Sequence, residues 1–336
     1  MTKMSTIIDV KNLNKEFVTY HRGHSLASIL GSLFARKKKI VHAVNDISFC
    51  LEEGELVGFL GPNGAGKSTT LKILTGILHP SSGTVHVMGY VPWEDRKRFV
   101  AKIGAIFGQK SQLFMDVPPL DAFYLNKAIY NIPTAAFHSR LALLVELLDV
   151  GDIIKKPTRQ LSLGERMKCE FIMAMLHDPK IVFLDEPTIG LDVIAKQKIR
   201  NFIHEMNKKG TTFILTTHDI ADIEYLAKRV IVIKSGDLVF DDTIQALRRK
   251  LGNIKLIAVS ARSGLPEIVH PGIKMVSRQS DLEAEIAVDC DVIDIVDCIR
   301  LISERAEIKD INIQDLPIEN AIIDLYKKES ASCGIR

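Results

Sequence analysis

Apolar side chains fall at every second position from Thr6 to Phe17 and again from His42 to Leu51, an alternation that predicts two half-buried strands. The stretch between them, 18–40, has a different period. Ser25 stands where a helix cap would, and Leu26, Ile29, Leu30, Leu33 and Phe34 share one helical face. The run Arg36 to Lys39 then places positive charge at that helix's C-terminus. Leu56 to Leu60 is a short apolar strand, followed by a glycine-rich turn and a helical run from Lys67 to about Leu78. Residues 110–160 read as mainly helical, with a break at Pro118-Pro119. Ile181 to Leu184, Phe213 to Thr216 and Val230 to Ile233 are unbroken apolar runs, the pattern of strands covered on both faces. Strands that alternate with helices in this way predict a mainly parallel sheet. Beyond Gly252 the chain predicts strands at Ile254 to Val259, Ala284 to Val288 and Ile308 to Ile313. Helices are predicted at Asp291 to Glu304 and Ile318 to Lys328, which together make a small α+β domain.

Charge supports that division. The chain carries 44 Lys+Arg and 41 Asp+Glu, a net of +3; residues 253–336 hold 10 and 15 of these, so that segment is at −5 and the rest at +8. The expected domains are therefore 1–252 and 253–336. The overall excess is too small to indicate nucleic acid, and none is expected as a partner. No apolar run reaches the roughly 18–20 residues of a membrane span, and the first ten residues hold no secretory core. The expected location is the cytoplasm, at a membrane only through a partner. Five scattered cysteines without a CxxC pair predict reduced, mostly packed thiols rather than a disulfide framework or zinc site. The acidic group Asp289, Asp291, Asp294 and Asp297 reads as a solvated helix start, where carboxylates suit the helix dipole.

Chemistry concentrates at three places. Gly61-Pro62-Asn63-Gly64-Ala65-Gly66-Lys67-Ser68, with Thr69 behind it, follows a strand and opens a helix. Glycines there let successive N–H groups approach a triphosphate, and the helix N-terminus adds positive potential. Lys67 is placed to reach the β- and γ-phosphates, and the Ser68 hydroxyl to ligate Mg²⁺. Ile181 to Leu184 ends in Asp185-Glu186, which puts a carboxylate pair at the carboxyl end of a buried strand, where open α/β sheets bind ligands. Asp185 suits a Mg²⁺ holder and Glu186 a group that orients or deprotonates water. Taken alone, the pair could equally cap the following segment. Ser162, with Glu165 three residues on, forms a capping box. The same Ser-Leu-Gly helix start is also a second phosphate receptor, and one nucleotide held by the first does not obviously need it.

With these motifs in order, the chain resembles the ATP-binding subunit of ATP-binding cassette transporters over about residues 5–240. Gly61 to Ser68 matches the Walker A loop and Gln109 the Q-loop. Leu161 to Glu165 matches the family signature, and Asp185 with Glu186 matches Walker B and its catalytic glutamate. Asp192 lies in the D-loop, and His218 matches the switch histidine. The resemblance implies a P-loop NTPase cassette of the α/β class. Its parts would be a RecA-like parallel sheet core, an antiparallel β subdomain and a helical subdomain at 110–165. It implies a head-to-tail homodimer with ATP and Mg²⁺ held between Walker A of one copy and Ser162/Gly164 of the other. Lys67, Gln109, Glu186 and His218 would serve hydrolysis, and Ser68, Gln109 and Asp185 the metal. Two positions depart from the pattern: Leu163 replaces a usual glycine and Glu165 a usual glutamine. Phe17 fits the position of the aromatic that stacks on adenine, and Tyr20 is its rival.

The resemblance further implies an ATPase that drives a separate multi-spanning permease. The insertion and the small acidic domain are similar to the drug-, lipid- and polysaccharide-exporting branch, with the permease docking on Gln109 to Asp121 and the helices beyond. The alternative is a soluble cassette ATPase acting on nucleic acid or the ribosome. Against it, the stretch from Ser68 to Leu161 lacks sustained heptads and the chain holds one cassette. A regulator without turnover would not need both Glu186 and His218. For the insertion, packing on its own domain or on a partner stands beside lying on an anionic membrane.

Overall fold

The computed structural model describes residues 5–20, 38–108, 110–265, 269–319, 321, 322 and 325. Gln109, the core of the insertion (21–37), the side chain of Tyr20, Cys333 and most of the last predicted helix lie outside them. The chain forms two compact units, Met1–Asp242 and Thr243–Arg336.

In the first unit, β1 (Thr6–Tyr20) pairs antiparallel with β2 (Lys38–Glu52) and β4 (Ser82–Val87). The alternation at Ile8, Val10, Ile47, Phe49 and Leu51 turns these side chains into one buried face. Both long strands run past the lengths predicted for them. Val18 pairs with Ile40 and Thr19 with Lys39, so the two ends of the insertion extend the β1–β2 ladder instead of leaving the sheet.

The second sheet has the order β5-β6-β7-β3-β8-β9. Its members are β3 (Leu56–Leu60), β5 (Ile103–Phe107), β6 (Ile181–Asp185), β7 (Thr212–Thr216), β8 (Arg229–Lys234) and β9 (Asp237–Thr243). The pairs β3–β7, β3–β8, β5–β6 and β6–β7 are all parallel. β3 and β7 are buried along their whole length, which explains their unbroken apolar runs. The two sheets share a core in which Phe49 meets Phe59 edge-on at 5.4 Å. This is the α/β cassette architecture.

Helices α1 (Lys67–Leu74), α2 (Arg96–Val100), α3 (Pro119–Ile129), α4 (Thr134–Leu148), α5 (Leu163–Met175), α6 (Val193–Lys208) and α7 (Ile220–Leu226) complete the unit. α1 is shorter than the run to Leu78 because Gly76, at φ 70°, turns left-handed and the Ile77 N–H closes back on the Lys72 carbonyl. Pro118-Pro119 starts α3 rather than breaking a helix: Pro119 occupies the first turn, where its missing N–H is no loss.

The second unit opens with α8 (Ile244–Arg249). It is built on an antiparallel sheet of order β11-β12-β10-β13, from β10 (Ile254–Ala261), β11 (Ile273–Arg278), β12 (Glu283–Asp289) and β13 (Ile308–Asp315). Ile257, Val259, Ile286 and Val288 pack with Cys298 and Ile302 of α9 (Ile295–Ser303). Asp294 caps that helix by accepting the Val296 N–H at 2.9 Å, and Asp297 pairs with Arg300. Among the described residues Cys169 and Cys298 are buried free thiols, Cys290 is partly buried and Cys50 is exposed. Burial pushes the Cys169 thiol up to about 12. No helix among the described residues is long and apolar enough to cross a membrane.

Candidate functional site

The glycine-rich turn runs from the end of β3 into α1 and is pinned from two sides. The Gly236 N–H donates to the Ala65 carbonyl at 2.9 Å, and the Gly236 carbonyl accepts from Asn45 of β2. Gly66 sits at φ 111° with its Cα against the Ala43 carbonyl; a Cβ there would lie 2.3 Å from that oxygen. Only glycine satisfies both conditions. Lys67 folds into the turn it follows, and its Nζ donates to the Gly61 carbonyl at 2.6 Å and the Pro62 carbonyl at 3.1 Å. Burial lowers the Lys67 pKa, opposed by the charges of Glu186 and Asp185.

Next to the turn stand the carboxyl ends of β6 and β7. The Asp185 Oδ1 accepts from the Ser68 hydroxyl at 2.8 Å and the Thr216 hydroxyl at 2.6 Å. Glu186 has φ 52°, a left-handed conformation uncommon for a residue with a side chain. Its N–H donates to the Thr216 carbonyl at 3.0 Å and the Thr216 hydroxyl at 3.2 Å, which holds that conformation. The turn aims the Glu186 carboxylate at His218, with Oε1 and Nδ1 3.4 Å apart. Gly108, leaving β5, donates its N–H to the Asp185 carbonyl at 2.9 Å.

These elements enclose a cleft of about 580 Å³ lined by Asn63 to Thr69, Lys72, Ile77, Phe107, Gly108, Lys110, Asp185, Glu186, Ile189 and His218. A lysine, a helix N-terminus and a run of backbone donors face two carboxylates and an imidazole. Polyphosphate and a hard cation suit that combination.

A second cluster lies apart from the lining of that cleft. Ser162 caps α5: its hydroxyl accepts the Glu165 N–H at 3.2 Å, and Glu165 Oε2 accepts the Ser162 N–H at 2.8 Å. The hydrogen bond from the Ser162 backbone holds the Glu165 carboxyl below its ordinary range. Gly164 packs on α6; a Cβ there would meet the Ala195 Cβ at 2.8 Å and come within 3.9 Å of Asp192 Oδ2. Asp192 caps α6 by accepting the Ala195 N–H at 2.8 Å.

Sequence comparison agrees with this arrangement. The ABC transporter family profile matches residues 44–189. "ABC transporter ATP-binding protein NatA" of Bacillus subtilis (strain 168) is 31% identical over 64% of this chain and 87% of its own length. The chain belongs to the ABC transporter ATP-binding family. A further relative, the "Linearmycin resistance ATP-binding protein LnrL" of Bacillus subtilis (strain 168), is 29% identical over 73% of this chain and 79% of its own. Among solved structures, the dimeric post-hydrolysis ATP-binding cassette MJ0796 bound to ADP and Pi superposes with a TM-score of 0.59 at 24% identity. That match covers 70% of this chain and 98% of the other and shows the shared fold. This ABC cassette binds ATP and is an ATP hydrolase.

Within the cassette, Asn63 to Thr69, Asp185, Glu186 and His218 are brought together in the cleft, with Gly61 and Pro62 at its root through Lys67. Ser162, Gly164, Glu165 and Asp192 form the separate cluster. Phe17 is not among the cleft-lining residues; it sits on β1, 38% exposed, with the Lys15 ammonium 5.2 Å from its ring centre. Gln109 lies outside the described residues. Thr216, Gly108, Ile77, Lys72 and Ile189 enter the site without having been singled out. For Thr216 the signal was its position at the strand end, two residues before His218.

Proposed function

We propose that this ABC ATPase works as a head-to-tail homodimer that powers a separate multi-spanning membrane permease, in the direction of export. One observation carries the dimer: the Ser162–Gly164 helix start is made like an anion receptor yet does not line its own chain's cleft. A second copy placed head to tail would bring it to the open side of the first copy's nucleotide. Asp192, beside Gly164, would lie at the same junction.

In this reading the Gly61–Thr69 turn and Lys67 hold the phosphates. Ser68 and Asp185, already 2.8 Å apart, are hard oxygen donors that fit Mg²⁺, and Gln109 would join them. When bound, Mg²⁺ offsets charge on the β- and γ-phosphate oxygens. Glu186 orients the attacking water and takes its proton, and His218 at 3.4 Å steadies the carboxylate. Closing the dimer removes water and strengthens each of these contacts. Phe17 remains the proposed adenine platform.

The permease reading draws on the surface. Phe114 and Met115, four and five residues after the cleft-lining Lys110 in sequence, are 55% and 46% exposed, and Leu125 and Ile129 of α3 are exposed as well. Such apolar side chains on one subdomain suit a protein partner. The chain would then sit at the cytoplasmic face of the membrane through that partner. Export is the direction that a relative named for linearmycin resistance suggests.

The test is Glu186→Gln. With ATP and Mg²⁺ the variant should hold nucleotide, lose turnover and sediment as a dimer. Native-rate hydrolysis by this variant would remove Glu186 from the chemistry. A monomer with ATP bound would remove the dimer.

A further inference from the structure

Asp222, in the first turn of α7, is fully buried and lies outside the cleft lining. A buried carboxylate needs partners, and these lead to both hydrolytic residues. The Thr188 hydroxyl donates to Asp222 Oδ2, and Thr188 follows Glu186 by one proline. The Thr217 hydroxyl makes a longer 3.5 Å contact to the same oxygen and accepts the Asp219 N–H at 2.9 Å, so it braces the peptides on either side of His218. On the other side, Arg200 of α6 donates Nε to Asp222 Oδ1 at 2.6 Å, and a second guanidinium nitrogen joins it. The Arg200 guanidinium also stacks 5.8 Å from the Tyr225 ring centre, and Lys196, one turn earlier on α6, donates to Asp219 at 2.7 Å.

We propose that Asp222 is a positioning residue for hydrolysis: through Thr188 and Thr217 it holds the segments bearing Glu186 and His218 at their mutual distance, with Arg200 anchoring it to α6. The need for such a clamp follows from the backbone. Glu186 sits at φ 52°, and Thr216 fixes the chain only on its upstream side. Downstream, a 3.3 Å hydrogen bond from the Ile189 N–H to the Glu186 carbonyl closes the turn, and the Thr188–Asp222 bond ties it to α7. His218 itself is 56% exposed at its side chain, so its place is set by its neighbours rather than by packing. The chain of contacts from Thr188 through Asp222 to Arg200 also reaches the helix that begins at Asp192. A shift of α6 would therefore move Glu186 and His218 together.

This inference rests on the roles proposed for Glu186 and His218, so Glu186→Gln serves as the reference. The test measures kcat and KM for ATP, ATP affinity and thermal midpoint in Thr188→Val, Thr217→Val, Asp222→Asn and the Thr188→Val/Asp222→Asn double variant. Thr188→Val keeps shape and removes one hydroxyl, so it folds even where Asp222→Asn does not. The expected result is a kcat reduced at least 10-fold in Thr188→Val with KM and ATP affinity within twofold. The double variant should lose no more than Asp222→Asn alone, because the two act as one unit. A kcat within twofold of wild type in Thr188→Val overturns the proposal, as does multiplicative loss in the double variant. If Glu186→Gln keeps turnover, the assignment of the base has failed instead, and the two failures are told apart.

Discussion

Gly108→Ala offers a sharp perturbation of the proposed hydrolytic site, because it adds one methyl group where two strand ends touch. A Cβ on Gly108 would lie 2.6 Å from the Glu186 carbonyl oxygen and 3.1 Å from that of Asp185. A carbon–oxygen contact settles near 3.3 Å, so the gap must open by about 0.7 Å. The obstacle is backbone and cannot rotate away. The Gly108 N–H is tied to the Asp185 carbonyl at 2.9 Å, so β5 cannot retreat without losing that bond. The displacement therefore falls on Glu186. Overpacking of this kind costs about 1–3 kcal/mol of stability, and misplacing a reacting group by close to 1 Å costs up to about 100-fold in rate. The expected kcat is about 10- to 100-fold down, with ATP affinity nearly unchanged because the Gly61–Thr69 turn is untouched.

Gly104→Ala is the matched control. It lies on the same strand, and its Cβ would sit 2.7 Å from the Ala174 carbonyl, again backbone, but away from the cleft lining. It should lower the thermal midpoint by about 2–4 °C per kcal/mol of strain and leave kcat within about twofold, because no reacting group moves. Phosphate release and a thermal melt on both variants decide the matter. Equal loss of turnover in the two, or none in Gly108→Ala, refutes the claim that Gly108 sets the place of Glu186.

Ser162→Ala should cost about 1 kcal/mol through the lost cap and abolish ATP-dependent dimerisation in sedimentation while ATP still binds; a normal dimer would count against the second receptor. Burial raises the pKa of Glu170, although it accepts from Ser111 and from the N–H groups of Gln112 and Leu113. With its folded value above the unfolded one, its stabilisation is full below the unfolded pKa of 4.5 and is lost as pH rises through the folded pKa. Glu170→Gln should flatten that slope, read from denaturant melts between pH 4 and 7. A chain ending at Asp242 should keep ATP binding and basal hydrolysis in a fluorescent-nucleotide and phosphate-release assay, since the preceding residues form a compact unit; a folded truncation that binds no ATP would refute this.

Much of the cassette was legible because its strands announce themselves. The buried runs at Leu56–Leu60, Ile181–Asp185 and Thr212–Thr216 have no competing period; the first leads directly into the glycine-rich turn, and the other two end in Asp185 and Thr216. The strands that escaped are those whose patterns are diluted. Ser82–Val87 and Asp237–Thr243 are edge strands with polar exposed faces, and Ile273–Arg278 is mostly exposed. Ile103–Phe107 hides behind Gly104, which reads as a breaker until the Ala174 carbonyl is seen to need the room. In the site, motif residues were readable one by one. Thr216 on Asp185, Gly108 under Glu186 and Asp222 on Thr188 were not, because these contacts join residues 31, 78 and 34 positions apart respectively. Local pattern carries no information about such pairs.

The state of Lys67 explains why this cleft should take a triphosphate and respond to it. Its ammonium is already bonded to two loop carbonyls, so the loop is ordered around its own lysine. A ligand must offer better acceptors than neutral carbonyls, and anionic oxygens form hydrogen bonds roughly twice as strong. Neutral sugars and bases gain nothing there, whereas phosphate does. Asp185 and Glu186 stand close enough to stabilise the Lys67 charge against burial. A nucleoside triphosphate would therefore bring more negative charge than one lysine balances in a site that already holds two carboxylates. In a partly dehydrated cleft that surplus is costly. A Mg²⁺ ion at Ser68 and Asp185 would offset part of it, and the positive end of a helix beginning at Ser162 in a second copy would offset more. Loss of the γ-phosphate lowers that surplus, and with it the attraction that holds the proposed dimer closed.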